Sequence, residues 1–203
     1  MRLEPASSKA ISYACRNFHY AKAVPANPLG FNVFNNHKEW CGVILYGTGA
    51  TPNIARPYQL SQGQVLELTR MALNGKQEST SKAMAISLRL IRQAAPLAQL
   101  IVSYADIDQQ HTGTIYQATN WIYEGKCNVG SRTHFIIHGK KTHNKSVHSK
   151  GVRQTILDVR KYLDPHATEF YSQGKHKYTY PLTNEMRSHC ITLAQPYPKA
   201  REA

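Results

Sequence analysis

The stretch SYADIDQQHTGTIYQATNWIYEG, from Ser103 to Gly125, sets Asp106, His111, two glycines and the aromatic residues Tyr104, Tyr116, Trp121 and Tyr123 into one short passage. Carboxylates and phenols can move protons, and aromatic faces can hold a planar group. The same residues have structural uses: Asp106 can cap a turn at a strand end, and the aromatics can fill a core. Upstream, ELTR places Glu67 and Arg70 inside an otherwise apolar run of strand type. Charged residues in a strand pose a functional question, although the two could simply pair with each other.

A second concentration of chemistry is electrostatic. The 203 residues carry 25 Lys+Arg against 12 Asp+Glu, a formal charge of +13. Residues 1–124 hold 11 basic and 7 acidic side chains, and residues 125–203 hold 14 and 5. From Lys126 to Arg153 there are seven Lys/Arg, the histidines His134, His138, His143 and His148, and no acid. A surface that faces phosphates needs such a composition. A solvated basic face is the plain alternative, and the histidine spacings match no standard metal-ligand motif. The turn NGKQESTSK offers free backbone N–H groups at a helix start around Ser79, Ser81 and Lys82, where an anion can sit and where Ser and Thr also act as caps.

The elements that must position these residues are legible from periodicity. SSKAISYACRNFHY puts Ala10, Ile11, Ala14, Cys15 and Phe18 on one helical face. GFNVFNN and EWCGVILYG read as a hairpin, followed by the loop GTGATPNIARPYQ and the strand QVLELTRMAL. ESTSKAMAISLRLIRQAAP is a helix stopped by Pro96, and AQLIVSYAD is a buried strand. A short helix HTGTIYQATN, strands WIYEGKC and RTHFIIHG, a helix GVRQTILDVRKYL and an extended GKHKYTYPL follow. This order is that of an α/β protein with a mixed sheet. No apolar run approaches the roughly 20 residues of a membrane span, and MRLEPASSKA lacks a signal peptide's apolar core, so a soluble intracellular protein is expected. Cys15, Cys41, Cys127 and Cys190 are scattered and are expected to be reduced thiols.

In that order the elements resemble the GNAT acyltransferase fold. IYQATNWIYEG resembles that fold's ending, with Tyr116 and then Asn120-Trp121 at the positions of its tyrosine and Gly-Phe pair. The resemblance implies one GNAT-like domain over residues 1–203, a mixed central sheet flanked by helices, and a basic C-terminal extension from about residue 140 to 203. It also implies an acyl-CoA donor at Ser79, Ser81 and Lys82, with Thr80 and Lys82 standing where the fold's glycines belong.

A more specific resemblance lies in FHY (Phe18 to Tyr20), ELTR, SYAD with GTIYQATNWIYEG, and YTYPL. Together, over about residues 10 to 198, they look like the Mom DNA-modification proteins of Mu-like phages. That family implies conversion of adenine in double-stranded DNA to N6-carbamoylmethyladenine in the host cytoplasm, shielding phage DNA from restriction. On this resemblance Asp106 accepts from N6–H or acts as base, Tyr116 is general acid or hydrogen-bond donor, and Arg70 clamps an anionic donor or intermediate. His19 and Tyr20 fall in the active region, where His19, with Glu67, could bind a transition metal such as ferrous iron. The base must leave the duplex at a cost of about a few kcal/mol and be held, with Tyr104, Trp121 and Tyr123 as stacking faces. Lys126, Arg132, Lys140, Lys141, Lys145, Lys150, Arg153, Lys175 and Lys177 are the expected DNA contacts. Ordinary acetyl transfer makes an amide and cannot place a base nitrogen on the CH2 of an acetamide group. Two rival readings stand beside this one: a conventional GNAT enzyme acting on a small-molecule or protein amine, and a non-enzymatic DNA-binding phage protein.

Overall fold

The structure is a computed structural model and describes residues 1–49 and 52–198. Ala50 and Thr51 of the expected loop, and residues 199–203 of the expected extension, lie outside the described residues.

Along the chain the elements are β1 (Arg2–Pro5), α1 (Ser8–Phe18), β2 (Leu29–Phe34), β3 (Trp40–Gly47), β4 (Val65–Leu73), α2 (Thr80–Ala94) and β5 (Leu100–Asp106). There follow α3 (Thr114–Gln117), β6 (Ile122–Cys127), β7 (His134–Ile137), β8 (Lys140–His143), α4 (Asn144–His148), α5 (Ile156–Tyr162), β9 (Thr168–Phe170), β10 (Lys175–Pro181) and α6 (Asn184–Thr192). The described residues divide into two compact units: 1–49, 52–104, 113–125 and 177–198 form the first, and 105–112 and 126–176 the second. The basic stretch expected as a C-terminal extension is therefore split, because the chain returns to the first unit at Lys177.

The first unit is built on a seven-stranded sheet in the order β1-β2-β3-β4-β5-β10-β6. β1 to β4 pair antiparallel in sequence, and β4 pairs parallel with β5. Helices cover both faces because neighbouring residues of β3 point opposite ways. Val43 and Leu45 pack with Ile11, Ala14 and Cys15 of α1, whereas the Tyr46 hydroxyl lies 2.6 Å from that of Ser87 on α2. α1 starts where Ser7 accepts from the Ala10 N–H, and α2 where Ser79 accepts from the Lys82 N–H. α6 buries Met186 and Cys190 against Val65, Leu100 and Val102.

The second unit has its own sheet, β8-β7-β9, and its own core of Phe135, Ile137, Val147, Val159 and Ala167. β7 and β8 are joined by His138 and Gly139 at φ 47 and 71, the two consecutive positive values of a type I′ hairpin turn. α5 begins at Ile156, later than the periodicity suggested, since Val152 packs on the core from the preceding loop.

Candidate functional site

The site in the first unit forms where β4 and β5 part. The two strands pair only through Val65–Leu100, Leu66–Ile101 and Glu67–Val102, although both continue further. The register of β4 against β3 slips beside Thr69, because Leu45 faces Arg70 and Tyr46 faces Leu68. A bulge of this kind bends its strand and re-aims side chains. It leads β4 away from β5 immediately after the last paired residue.

At the vertex the next β5 residue, Ser103, is 1% exposed and does the work of a ladder bond with its side chain. Its hydroxyl lies 3.0 Å from the Leu68 carbonyl oxygen and 2.8 Å from the Tyr116 hydroxyl. Serine has one proton and the carbonyl can only accept, so the resting arrangement has Tyr116 donating to Ser103 and Ser103 to Leu68. Tyr116 sits on α3 against Trp121 and Tyr178, with ring centroids 5.1 and 4.9 Å away. Desolvation pushes its phenol up to about 12, with Tyr20, Tyr178 and Glu67 adding to the rise, and the Ser103 hydroxyl, which can swing its proton to a phenolate, opposing it. Tyr116, Tyr20 and Glu67 thus share one electrostatic neighbourhood.

Arg70 donates from Nη1 to the Thr69 carbonyl at 2.6 Å, while its Nε is buried without a hydrogen-bond partner. An orphaned donor on a cation is costly, and an anion relieves it. His19 stacks on Tyr20 at 4.4 Å and accepts the Ala21 N–H at Nδ1. Among the described residues no group of three or more His, Cys, Asp or Glu side chains could hold a metal ion, so the expectation of iron at His19 and Glu67 finds no third protein ligand.

Ser79, Ser81 and Lys82 come together at the start of α2, where the Ser79 and Ser81 hydroxyls are 3.1 Å apart. Beside them is a cleft of about 500 Å3 between α2, the turn after α3 and β10, lined by Lys82, Arg89, Thr119, Asn120 and Tyr180 among others. Of the expected stacking residues, Trp121 is completely buried and Tyr123 is 6% exposed, which leaves Tyr104 with the most accessible surface. Asp106 belongs to the second unit, where its carboxylate accepts the Asp108 N–H at 3.0 Å and caps the turn Ile107–Gln109.

The expected DNA contacts separate into two groups. Lys126, Lys140, Lys145, Lys150 and Arg153 are exposed. Arg132 pairs with Glu169, Lys141 with Asp108 at 3.2 Å, and Lys177 with Glu124 at 3.0 Å; Lys175 is half-buried on β10. Sequence reasoning missed Ser103, whose signal was a lone serine in the apolar run LIVSYAD. It also missed the buried Glu124, which accepts from Tyr58 and Thr179 at 2.7 and 2.9 Å as well as pairing with Lys177.

A mixed sheet flanked by helices, with a parallel pair that splays beside a tyrosine, is a GNAT-like fold. In agreement, the chain superposes on an acetyltransferase of Bacillus subtilis in complex with CoA with a TM-score of 0.50 at 8% identity, covering 90% of this chain and 99% of that one. The spermidine/spermine N-acetyltransferase SpeG of Vibrio cholerae matches with a TM-score of 0.48 at 10% identity over 92% and 95% of the two chains. Within that fold the chain belongs to the Mom protein family, which matches residues 1–199. It is 25% identical over 210 residues to the methylcarbamoylase Mom of Escherichia phage Mu, covering 98% of this chain and 84% of that protein.

Proposed function

We propose that the protein is a transferase that modifies adenine in double-stranded DNA, placing a carbamoylmethyl group on N6, in the cytoplasm of a host cell. The observation that carries the reading is the Tyr116–Ser103–Leu68 chain at the opened strand pair, in a chain of the Mom family. A phenol held near 12 stays protonated at neutral pH, so Tyr116 acts as donor to a leaving group or developing anion and not as a base. Ser103 is placed to turn its proton towards the phenolate so formed. Arg70, with its unpartnered Nε, clamps the anionic part of the donor or intermediate, and Tyr20 adds a hydroxyl to the same neighbourhood. Asp106 is assigned the N6–H of the base by its place in the SYAD motif, and Tyr104 the stacking face.

The residues around the cleft fit an acyl-CoA donor: Lys82 and Arg89 can meet phosphates, and Ser79 and Ser81 mark the start of α2. When bound, such a donor supplies a thioester-activated acyl carbon. Because acetyl transfer alone yields an amide and releases CoA, a carbamoylmethyl product requires in addition a nitrogen on the acyl carbon and, at the adjacent carbon that bonds N6, either a leaving group or a two-electron oxidant from a further co-substrate. The test is mass spectrometry of nucleosides from DNA of cells expressing the chain. An adenine derivative about 57 Da heavier than the parent is expected for this product on a flipped base. An unchanged nucleoside profile in the presence of folded protein refutes the reading; a protein or small amine acylated in its place points to a conventional acyltransferase.

A further inference from the structure

We propose that the exposed cations of the segment from Lys140 to Arg153 form the duplex-binding surface of the second unit, and that Arg132 and Lys141 serve its fold. This rests on the reading of DNA as substrate and deepens it by assigning the contact.

The argument starts from where the unit's carboxylates go. Asp164 accepts the His138 and His166 N–H groups at 2.6 and 2.9 Å, which ties the β7–β8 turn to the end of α5. Glu169 takes Arg132 and the Tyr171 hydroxyl. Asp108 takes Lys141, the Ser172 hydroxyl and the Gln173 N–H. Asp158 accepts from Thr155 at the start of α5, and Asp106 caps its turn. Each acid of the unit is thus engaged inside it.

Two cations are consumed in the same way. Lys141, besides its pair with Asp108, sits 3.8 Å from the centre of the Phe170 ring. Lys140, Lys145, Lys150 and Arg153 are exposed and in no ion pair among the described residues. They follow one another along the edge strand β8, the short α4 and the turn after it, where Val147 and Val152 pack on the core. With negative charge drawn inside and positive charge left outside, the segment attracts a polyanion without regard to sequence, and backbone phosphates are the matching groups.

The experiment is a salt titration of binding to two unrelated fluorescent duplexes. Wild type is compared with the triple variant Lys140→Gln, Lys145→Gln, Lys150→Gln and with Lys141→Gln. The triple variant should keep the wild-type unfolding temperature and lower the magnitude of the log–log salt slope by up to about 3, near one unit per lost phosphate contact, equally on both duplexes. Lys141→Gln should lower the unfolding temperature and keep the slope. A triple variant with the wild-type slope, or a wild type that does not bind duplex, overturns the proposal. A Lys141→Gln variant that stays fully stable and loses slope overturns the division of labour. Nucleoside analysis of the same proteins separates the two readings: binding as described without modified adenine removes the enzyme and leaves the surface. Modified adenine with an unchanged slope in the triple variant removes the surface and leaves the enzyme.

Discussion

Ser103 shows how much a single hydroxyl can settle. It sits among Leu100, Ile101 and Val102, which are fully buried, so its polar atom must find partners within the protein. One partner is the first carbonyl of β4 beyond the paired stretch, and the other is the phenol assigned to proton donation. Removing the hydroxyl leaves that carbonyl unsatisfied, at about 1–3 kcal/mol, and takes away the group that can donate a hydrogen bond to the Tyr116 phenolate once its proton has gone. Ser103→Ala is therefore expected to lower the unfolding temperature modestly and to lower DNA modification strongly, with Ser103→Thr restoring much of the activity. Equal activity in wild type and Ser103→Ala, measured as modified nucleoside per protein, sinks the relay. For Tyr116→Phe the ring contacts with Trp121 and Tyr178 remain, so folding should survive while turnover drops by about 10²–10⁴, the usual worth of a general acid. An unfolded Tyr116→Phe protein would return that tyrosine to the core.

The elements carry those residues with unequal legibility in the sequence. α1, α2 and β5 were readable because one buried face or one buried strand dictates their composition, as Ile11, Ala14 and Cys15 or Met84, Leu88 and Ile91 show. The slip beside Thr69 was not, because a bulge depends on what β3 offers across the ladder and leaves no local mark. α6 escaped for the opposite reason: it buries only Met186 and Cys190 and leaves Ile191 exposed, so its periodicity is faint. As residue types beside a motif, Trp121 and Tyr123 look available for stacking; their burial is a property of the packed sheet and not of the residue type. Gly113 belongs at this scale too. It opens α3 at φ 79, and a Cβ there would lie 2.3 Å from the Tyr178 ring. Gly113→Ala should therefore displace α3 and with it Tyr116, adding about 1–2 kcal/mol of left-handed strain to the collision. The check is a joint fall in unfolding temperature and modification; a variant indistinguishable from wild type would mean that α3 has room to spare.

At the scale of the whole molecule, the sequence showed a charge imbalance but not the unit that bears it, because the return of β10 between β5 and β6 joins residues far apart in the chain. That unit also holds three histidines whose imidazoles burial pushes down. On β7, His134 packs edge-on to His143 and Phe170, with centroids 4.8 and 6.2 Å away. Burial, then the charges of Lys141 and His143, push its imidazole down to about 4, against a pull the other way from Asp106 and Asp108. His143 is lowered by burial and by Lys145 and Lys175, and His176 by burial and Lys126. An unfolded histidine titrates near about 6.5, so below that pH the unfolded chain takes up protons that the folded unit refuses. Stability is then fully present above about 6.5 and declines as pH falls towards about 4, ahead of the loss from Asp108, Asp164 and Glu169, whose lowered values hold their contribution until the unfolded carboxylate range near about 4. Hydrogen exchange expressed as protection factors should show the amides of β7 and β8 losing protection between pH 7 and 5 while those of β3 and β4 keep theirs, and His134→Phe should flatten the response. Protection that falls equally in both units, or in neither, would remove these histidines as its source.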